Sequence, residues 1–228
     1  PKTEPLVPFQ SGKTISVKAD DGALLSAIQS AEAGDVISLS PGDYVIGKFL
    51  KLDKPLTVKG EGDVNLSFER STLFEILDGG SLQLIGLDIS GKDAPDYKGN
   101  SVIRTSPYAM LQNYRLEVID SNFEDLDINQ SFNVIAGAKG TFADNILIKD
   151  STFETVSGAG LKLDTENDDY GIYNAEYLTI ESSTFKDVEG AVVDYYRGGR
   201  DESTFGPHFN MTDSKLINVG NGPRNKSK

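Results

Sequence analysis

A glycine-rich stretch in the last fifth of the chain gathers side chains suited to binding an acidic sugar. The candidate substrate-binding residues in it are Tyr195, Tyr196, Arg197, Arg200 and His208. Arginine guanidinium groups form paired hydrogen bonds with carboxylates, and tyrosine rings can stack on sugars. Asp201 and Glu202 occupy the same stretch, so the favoured alternative is an Arg–Asp/Glu network that only fixes a long loop.

A lysine followed by an acidic run forms a second group of candidates. Lys162 lies between Leu161 and Leu163, so in a strand its side chain faces solvent, as an ordinary surface lysine or as a base in a groove. The alternating carboxylates of Asp164, Glu166 and Asp168 could hold Ca²⁺, although their spacing is not that of an EF-hand and favours a solvated loop. The first expectation is therefore no catalytic residue and no metal ligand in this chain.

Composition excludes several functional classes. The 228 residues include 22 Lys+Arg and 35 Asp+Glu, a net charge of −13, which argues against binding to nucleic acid. The absence of cysteine removes thiol nucleophiles and Cys-bound zinc, and the single histidine excludes multi-histidine metal sites. No apolar run approaches the length of a membrane helix, so we expect no membrane partner.

Internal repeats predict the fold. Four segments align without gaps, and their anchor residues Phe123, Phe153, Phe185 and Leu216 lie 30, 32 and 31 positions apart. Each segment alternates apolar and polar residues, as strands do, around an Asp-Ser or Ser-Ser pair that is typical of turns. Three short strands in each coil of about 30 residues predict an all-β, right-handed parallel β-helix.

The two ends of the chain carry different signals. Residues 1–14 include three prolines and are predicted to be a linker, which leaves residues 15–228 as one β-helix domain. Asp21 is predicted to cap a short amphipathic helix, Ala23 to Ala31, that covers the first coil. The last repeat ends at Val219, and the polar tail after it is too short to cover the final coil. We therefore expect a fragment of a longer two-domain chain, or a last coil covered by another domain or subunit.

The segment from Val193 to Pro207, VDYYRGGRDESTFGP, resembles the C-terminal part of polysaccharide lyase family 6, the alginate lyases and relatives of chondroitinase B. The resemblance is strongest over residues 116–220 and looser over residues 20–115. It implies a bacterial, periplasmic or secreted parent enzyme that cleaves uronate polysaccharides by β-elimination. In that reaction a neutraliser, often Ca²⁺, stabilises the enolate-like charge while a base and an acid transfer protons.

The resemblance also implies a division of roles. The family base is a lysine in an Asn-Lys-Ser context and the acid an arginine in an Arg-His-Gly context, both in the N-terminal domain. Lys162 lies in Leu-Lys-Leu and Arg197 precedes Gly-Gly, so neither takes over a catalytic role. The leading hypothesis is an accessory domain without its own cofactor, partnered by the catalytic β-helix domain of the same protein, with a homodimer and contact with alginate as further expectations. One alternative is an autonomous Ca²⁺-assisted alginate lyase with Lys162 as its base and Arg197, 35 residues later, as its acid. The other is a purely structural assembly module, so whether the isolated chain is an enzyme stays open.

Overall fold

The structure is a computed structural model that describes residues 6–107, 112–165, 174–196 and 207–223. Within these ranges the chain forms one helix and 21 strands. In the first half they are β1 (Thr14–Val17), α1 (Ala23–Ser30), β2 (Val36–Leu39), β3 (Gly42–Ile46), β4 (Leu50–Leu52), β5 (Pro55–Gly60), β6 (Val64–Phe68), β7 (Thr72–Ile76), β8 (Ser81–Ile85), β9 (Asp88–Ser90) and β10 (Ser101–Thr105). In the second half they are β11 (Gln112–Ile119), β12 (Asn122–Glu124), β13 (Asn133–Ala136), β14 (Phe142–Lys149), β15 (Thr152–Val156), β16 (Leu161–Leu163), β17 (Ala175–Glu181), β18 (Thr184–Val188), β19 (Val193–Tyr195), β20 (His208–Thr212) and β21 (Lys215–Val219).

The strands form three parallel sheets, and the chain passes through the sheets in turn. Sheet A has the order β1-β2-β5-β8-β11-β14-β17-β20, sheet B has the order β3-β6-β9-β12-β15-β18-β21, and sheet C has the order β4-β7-β10-β13-β16-β19. Each strand pairs in parallel with the equivalent strand of the next coil, for example β11 with β14 and β14 with β17. The predicted parallel β-helix with three short strands per coil is confirmed.

The corner between sheets A and B is built by the repeated serine. Ser121, Ser151 and Ser183 are buried, and each hydroxyl donates to the carbonyl two residues earlier. Each backbone N–H in turn donates to the serine Oγ of the following coil, at 3.2 Å from Ser121 to Ser151 and 3.2 Å from Ser151 to Ser183. The preceding residues Asp120 and Asp150 have positive φ angles of 47° and 50°, a conformation that aspartate tolerates better than most side chains. The turn chemistry read from the repeat is therefore correct.

Aromatic rings stack through the interior below this corner. Phe123, Phe153 and Phe185 are almost fully buried and lie in register on β12, β15 and β18. Their ring centroids are 4.9 Å and 4.8 Å apart in edge-to-face arrangements, which are favoured by the aromatic quadrupole. Leu216 continues the row on β21 but is 50% exposed, since β21 is the last described strand of sheet B.

The helix covers the first coil as predicted, but its N-cap differs from the prediction. α1 buries Leu24, Ala27 and Ile28 against β1, β2 and β4. Gly22, not Asp21, is the N-cap, with a φ of 72° and no side-chain hydrogen bond to the first turn. A left-handed conformation at this position favours glycine, which explains why Asp21 lies outside the helix start. Within the described ranges, no helix is long and apolar enough to cross a bilayer.

Candidate functional site

Three long loops follow sheet C and precede sheet A. They connect β10 to β11, β16 to β17 and β19 to β20, so they occupy the same corner of three coils. The central parts of these loops lie outside the described residues. Arg197, Arg200, Glu166 and Asp168, with Asp201 and Glu202, fall there, and their roles stay predictions.

Lys162 lies on the outer face of sheet C between two carboxylates. Leu161 and Leu163, its neighbours on β16, are completely buried, which confirms that the lysine side chain points away from the core. Its Nζ donates to Asp164 Oδ2 at 2.6 Å and to Asp194 Oδ2 at 2.7 Å. Asp194 lies opposite Lys162 on β19, so the cluster links two adjacent coils.

These contacts determine the charge of the lysine. Burial lowers the pKa of Lys162, but the hydrogen bonds and negative charges of Asp164 and Asp194 outweigh it, and the pKa is raised above the ordinary lysine value. The amine is therefore protonated at neutral pH and carries no lone pair for proton abstraction. A general base needs a pKa near the operating pH, so this environment disfavours Lys162 as the base of an elimination.

The Lys162 cluster borders a depression of about 290 Å³ that also contacts Asn133, Ser157 and Glu189. This volume lies just below the range for ligand pockets, about 300–1,000 Å³. Among the described residues no group of three or more metal-binding side chains is assembled, and the Asp164 carboxylate already accepts a hydrogen bond from Lys162. Glu166 and Asp168 lie outside the described residues, so the Ca²⁺ set of Asp164, Glu166 and Asp168 stays a prediction.

The two candidate tyrosines face different surroundings. The ring of Tyr195 packs against the hydrophobic core, and its hydroxyl donates to the carbonyl of Ala175 at the start of β17. Tyr195 therefore closes the corner between sheets C and A. Tyr196 is 52% exposed and, among the sequence-predicted tyrosines, has the open ring a sugar would need.

His208 lies beside a tyrosine, Tyr177, that the sequence analysis does not predict as its neighbour. Its ring stacks on Tyr177 with a centroid distance of 4.8 Å and an interplanar angle of 12°. His208 Nε2 also lies 3.9 Å from Glu176 Oε1. The two rings are about half exposed at the start of β17 and β20. Their 31-residue separation equals one repeat, which is the signal that would have predicted the stack.

The tail of the chain contains the sequence context that the resemblance implies for the family base. Asn225, Lys226 and Ser227 form the Asn-Lys-Ser sequence, outside the described residues and after the last strand. An Arg-His-Gly sequence occurs nowhere in the chain. One of the two catalytic contexts is therefore present as a triplet, but it follows Gly-Pro-Arg in the tail and is not part of a repeat.

Two solved structures match this chain over almost its whole length. It matches the structure of the PL6 family alginate lyase AlyGC with a TM-score of 0.95 and 47% sequence identity over 99% of this chain, and it matches an arginine-to-alanine variant of the same lyase equally well. The chain is related to a β-helix domain of polysaccharide lyase family 6. No protein-family model and no curated protein matches it.

The chain corresponds to only part of such a lyase. It spans 31% of the length of AlyGC, so the activity of the whole enzyme does not pass automatically to this chain. At 47% identity and a TM-score of 0.95, the backbone of the chain follows that part of the lyase closely, which supports the strand register given above.

Proposed function

We propose that this chain is an accessory, non-catalytic β-helix domain of an alginate-lyase-like polysaccharide lyase. The observation that carries the proposal is the near-complete match of this chain to a 31% portion of AlyGC. A piece of that size leaves about two thirds of such an enzyme to hold the catalytic residues. The parent enzyme would act on uronate polysaccharides by β-elimination outside the cytoplasm of a bacterium.

The chemistry of the described residues favours an accessory, non-catalytic role. Lys162, the alternative base, is held as an ammonium group by Asp164 and Asp194. Deprotonating it would remove the charge that both salt bridges need. The Arg-His-Gly context of the family acid is missing, and the Asn-Lys-Ser triplet lies in the tail.

The proposed partners are the catalytic β-helix domain of the same protein and, in a homodimer, a second copy. The loops between sheets C and A, including Arg197 and Arg200, would form one wall of the substrate cleft or contact the catalytic domain. The parent enzyme would supply any Ca²⁺.

A lyase assay tests the proposal directly. The purified chain is incubated with alginate and Ca²⁺, and the ultraviolet absorbance of unsaturated uronate products is followed over time. We expect no increase above that of a protein-free control, because no group positioned to abstract the C5 proton is available at Lys162.

Two variants and a control make a positive result interpretable. Activity that disappears in Lys162→Ala or Lys226→Ala, but persists in Lys215→Ala, would establish an autonomous lyase and overturn the accessory role. Lys215 is a suitable control because it is an exposed lysine on β21. Activity that survives all three substitutions would overturn the proposal equally, with a base elsewhere in the chain.

A further inference from the structure

A second and larger concavity lies at the opposite end of the solenoid from the Lys162 cluster. It encloses about 720 Å³ and is lined by Lys48, Phe49, Lys51, Arg70 and Tyr97, which we call the cationic groove. These residues come from the connections of β3 to β4, β6 to β7 and β9 to β10, and from β4 itself. The groove thus crosses three successive coils, which are stacked about 4.8 Å apart, at the corner where sheet B turns into sheet C.

The three cations of the groove have no carboxylate partner. Lys48, Lys51 and Arg70 are exposed, and none of them lies within 4.0 Å of an acidic oxygen of the described residues. Arg70 is positioned by a hydrogen bond from its Nε to the carbonyl of Gly47 at 3.0 Å, which leaves its terminal nitrogens available.

The register of sheet C explains why Lys51 is left unpaired. Lys51 lies opposite Glu75 on β7, and Glu75 lies opposite Arg104 on β10. Arg104 takes the Glu75 carboxylate, with Nε 2.7 Å from Oε2. The same guanidinium lies over the ring of Phe49 at 5.1 Å, which fixes this wall of the groove. Arg104 therefore pairs with the Glu75 carboxylate, which would otherwise neutralise Lys51.

The opposite wall offers an aromatic surface on a fixed backbone. Tyr97 is 59% exposed. Its carbonyl accepts a hydrogen bond from Asn129 Nδ2 at 2.7 Å, and the buried Asn100 donates from Nδ2 to the carbonyl of Pro95 at 2.7 Å. Because the backbone that carries Tyr97 is already held, ligand binding costs little further ordering of this segment.

The combination selects a ligand class. Unpaired cations spaced along a groove recognise a chain that carries repeated anionic groups, and an open tyrosine ring packs against the apolar face of a sugar. Glu69 and Asp96 also line the groove, so its net charge is +1 and a compact, highly charged anion is a poor fit. We infer that the cationic groove binds a carboxylate-bearing oligosaccharide along the solenoid axis. The choice of alginate as its example rests on the proposed function, whereas the site itself rests on the groove residues.

The test is a binding titration with matched charge variants. Short alginate oligosaccharides are titrated into the chain by calorimetry and by NMR, with neutral mannan oligosaccharides of equal length as the comparison. We expect the Lys48→Ala/Lys51→Ala double variant to bind at least about tenfold more weakly, which is ~1.4 kcal/mol. The Lys18→Ala/Lys215→Ala double variant, which loses the same charge from exposed lysines elsewhere, should change the affinity less than about twofold, since distant surface charges are screened.

Several results would overturn the inference. These are equal affinity for neutral and acidic oligosaccharides, no binding to either, or NMR shifts confined to the loop that ends at His208. Wild-type affinity in the Lys48→Ala/Lys51→Ala variant would do the same, with circular dichroism verifying that the variant is folded. The lyase assay is separate, because a chain that cleaves alginate through another residue could still bind through this groove, and an inactive chain could lack the site.

Discussion

The charge of Lys162 is set by one acid two residues away and another in the next coil. Asp164 follows on the same stretch of chain, whereas Asp194 is brought to 2.7 Å by the pairing of β16 with β19. A lysine that the sequence left open as a surface residue or a base is thereby fixed as the cation of a small salt-bridge cluster. The spacing of 32 residues between Lys162 and Asp194 matches the repeat, so the sequence places the two residues on adjacent coils. Predicting their contact also requires knowing that Asp194 points outward from β19.

Substituting this lysine should give a pH-dependent loss of stability. We expect Lys162→Met to lower the free energy of unfolding by about 0.5–1 kcal/mol at neutral pH, the upper range for partly exposed pairs. Because the folded pKa of Lys162 is raised, its stabilisation is complete below the unfolded value of 10.5 and disappears as the pH rises through the higher folded value. Urea unfolding of both proteins should therefore give a difference that shrinks at alkaline pH. A difference that stays constant, or a similar effect in Lys215→Met, would contradict this account.

The strands and turns were predictable because each coil repeats the same local chemistry. The Asp-Ser pairs and the phenylalanine row fixed the period, the turn and the inward face, which together determine a β-helix. Irregular segments were less predictable. The N-cap is Gly22 and not the predicted Asp21, and its backbone is left-handed, a conformation that favours glycine. The cationic groove depends on the long β9–β10 connection, whose path is set by the Asn100 and Asn129 hydrogen bonds and leaves no periodic signal.

The serine ladder provides the element-level prediction. Ser151→Ala removes the acceptor of the Ser121 N–H and leaves a buried donor unsatisfied, so we expect a loss of about 1–3 kcal/mol in the free energy of unfolding. Ser214→Ala changes the same turn in the last described coil, where Ser214 is less buried and water can replace the hydroxyl. Its cost should be smaller. Chemical denaturation of the two variants decides the point, and equal losses would mean that burial does not control the strength of the ladder.

For the whole molecule, the net charge of −13 opposes the ligand that its family relation suggests. Alginate is a polyanion, so most of this surface repels it. The cationic groove, whose lining has a net charge of +1, is a local exception. A supporting domain with one short attractive groove fits this distribution better than an enzyme that grips a long acidic chain along its length.

This balance predicts opposite behaviour for short and long ligands. A short oligosaccharide stays within the groove and contacts its cations directly, whereas a polymer must also run past the acidic surface on either side. Long-range repulsion is screened first, because the Debye length falls from about 30 Å at ~0.01 M salt to about 8 Å at ~0.15 M. Raising the salt over this range should therefore strengthen polymer binding relative to oligosaccharide binding, measured as the ratio of their dissociation constants per occupied groove. Both ligands should bind Lys48→Ala/Lys51→Ala at least about tenfold more weakly, because both are held through the groove. A polymer that loses relative affinity with added salt would mean that the acidic surface does not govern access to the groove.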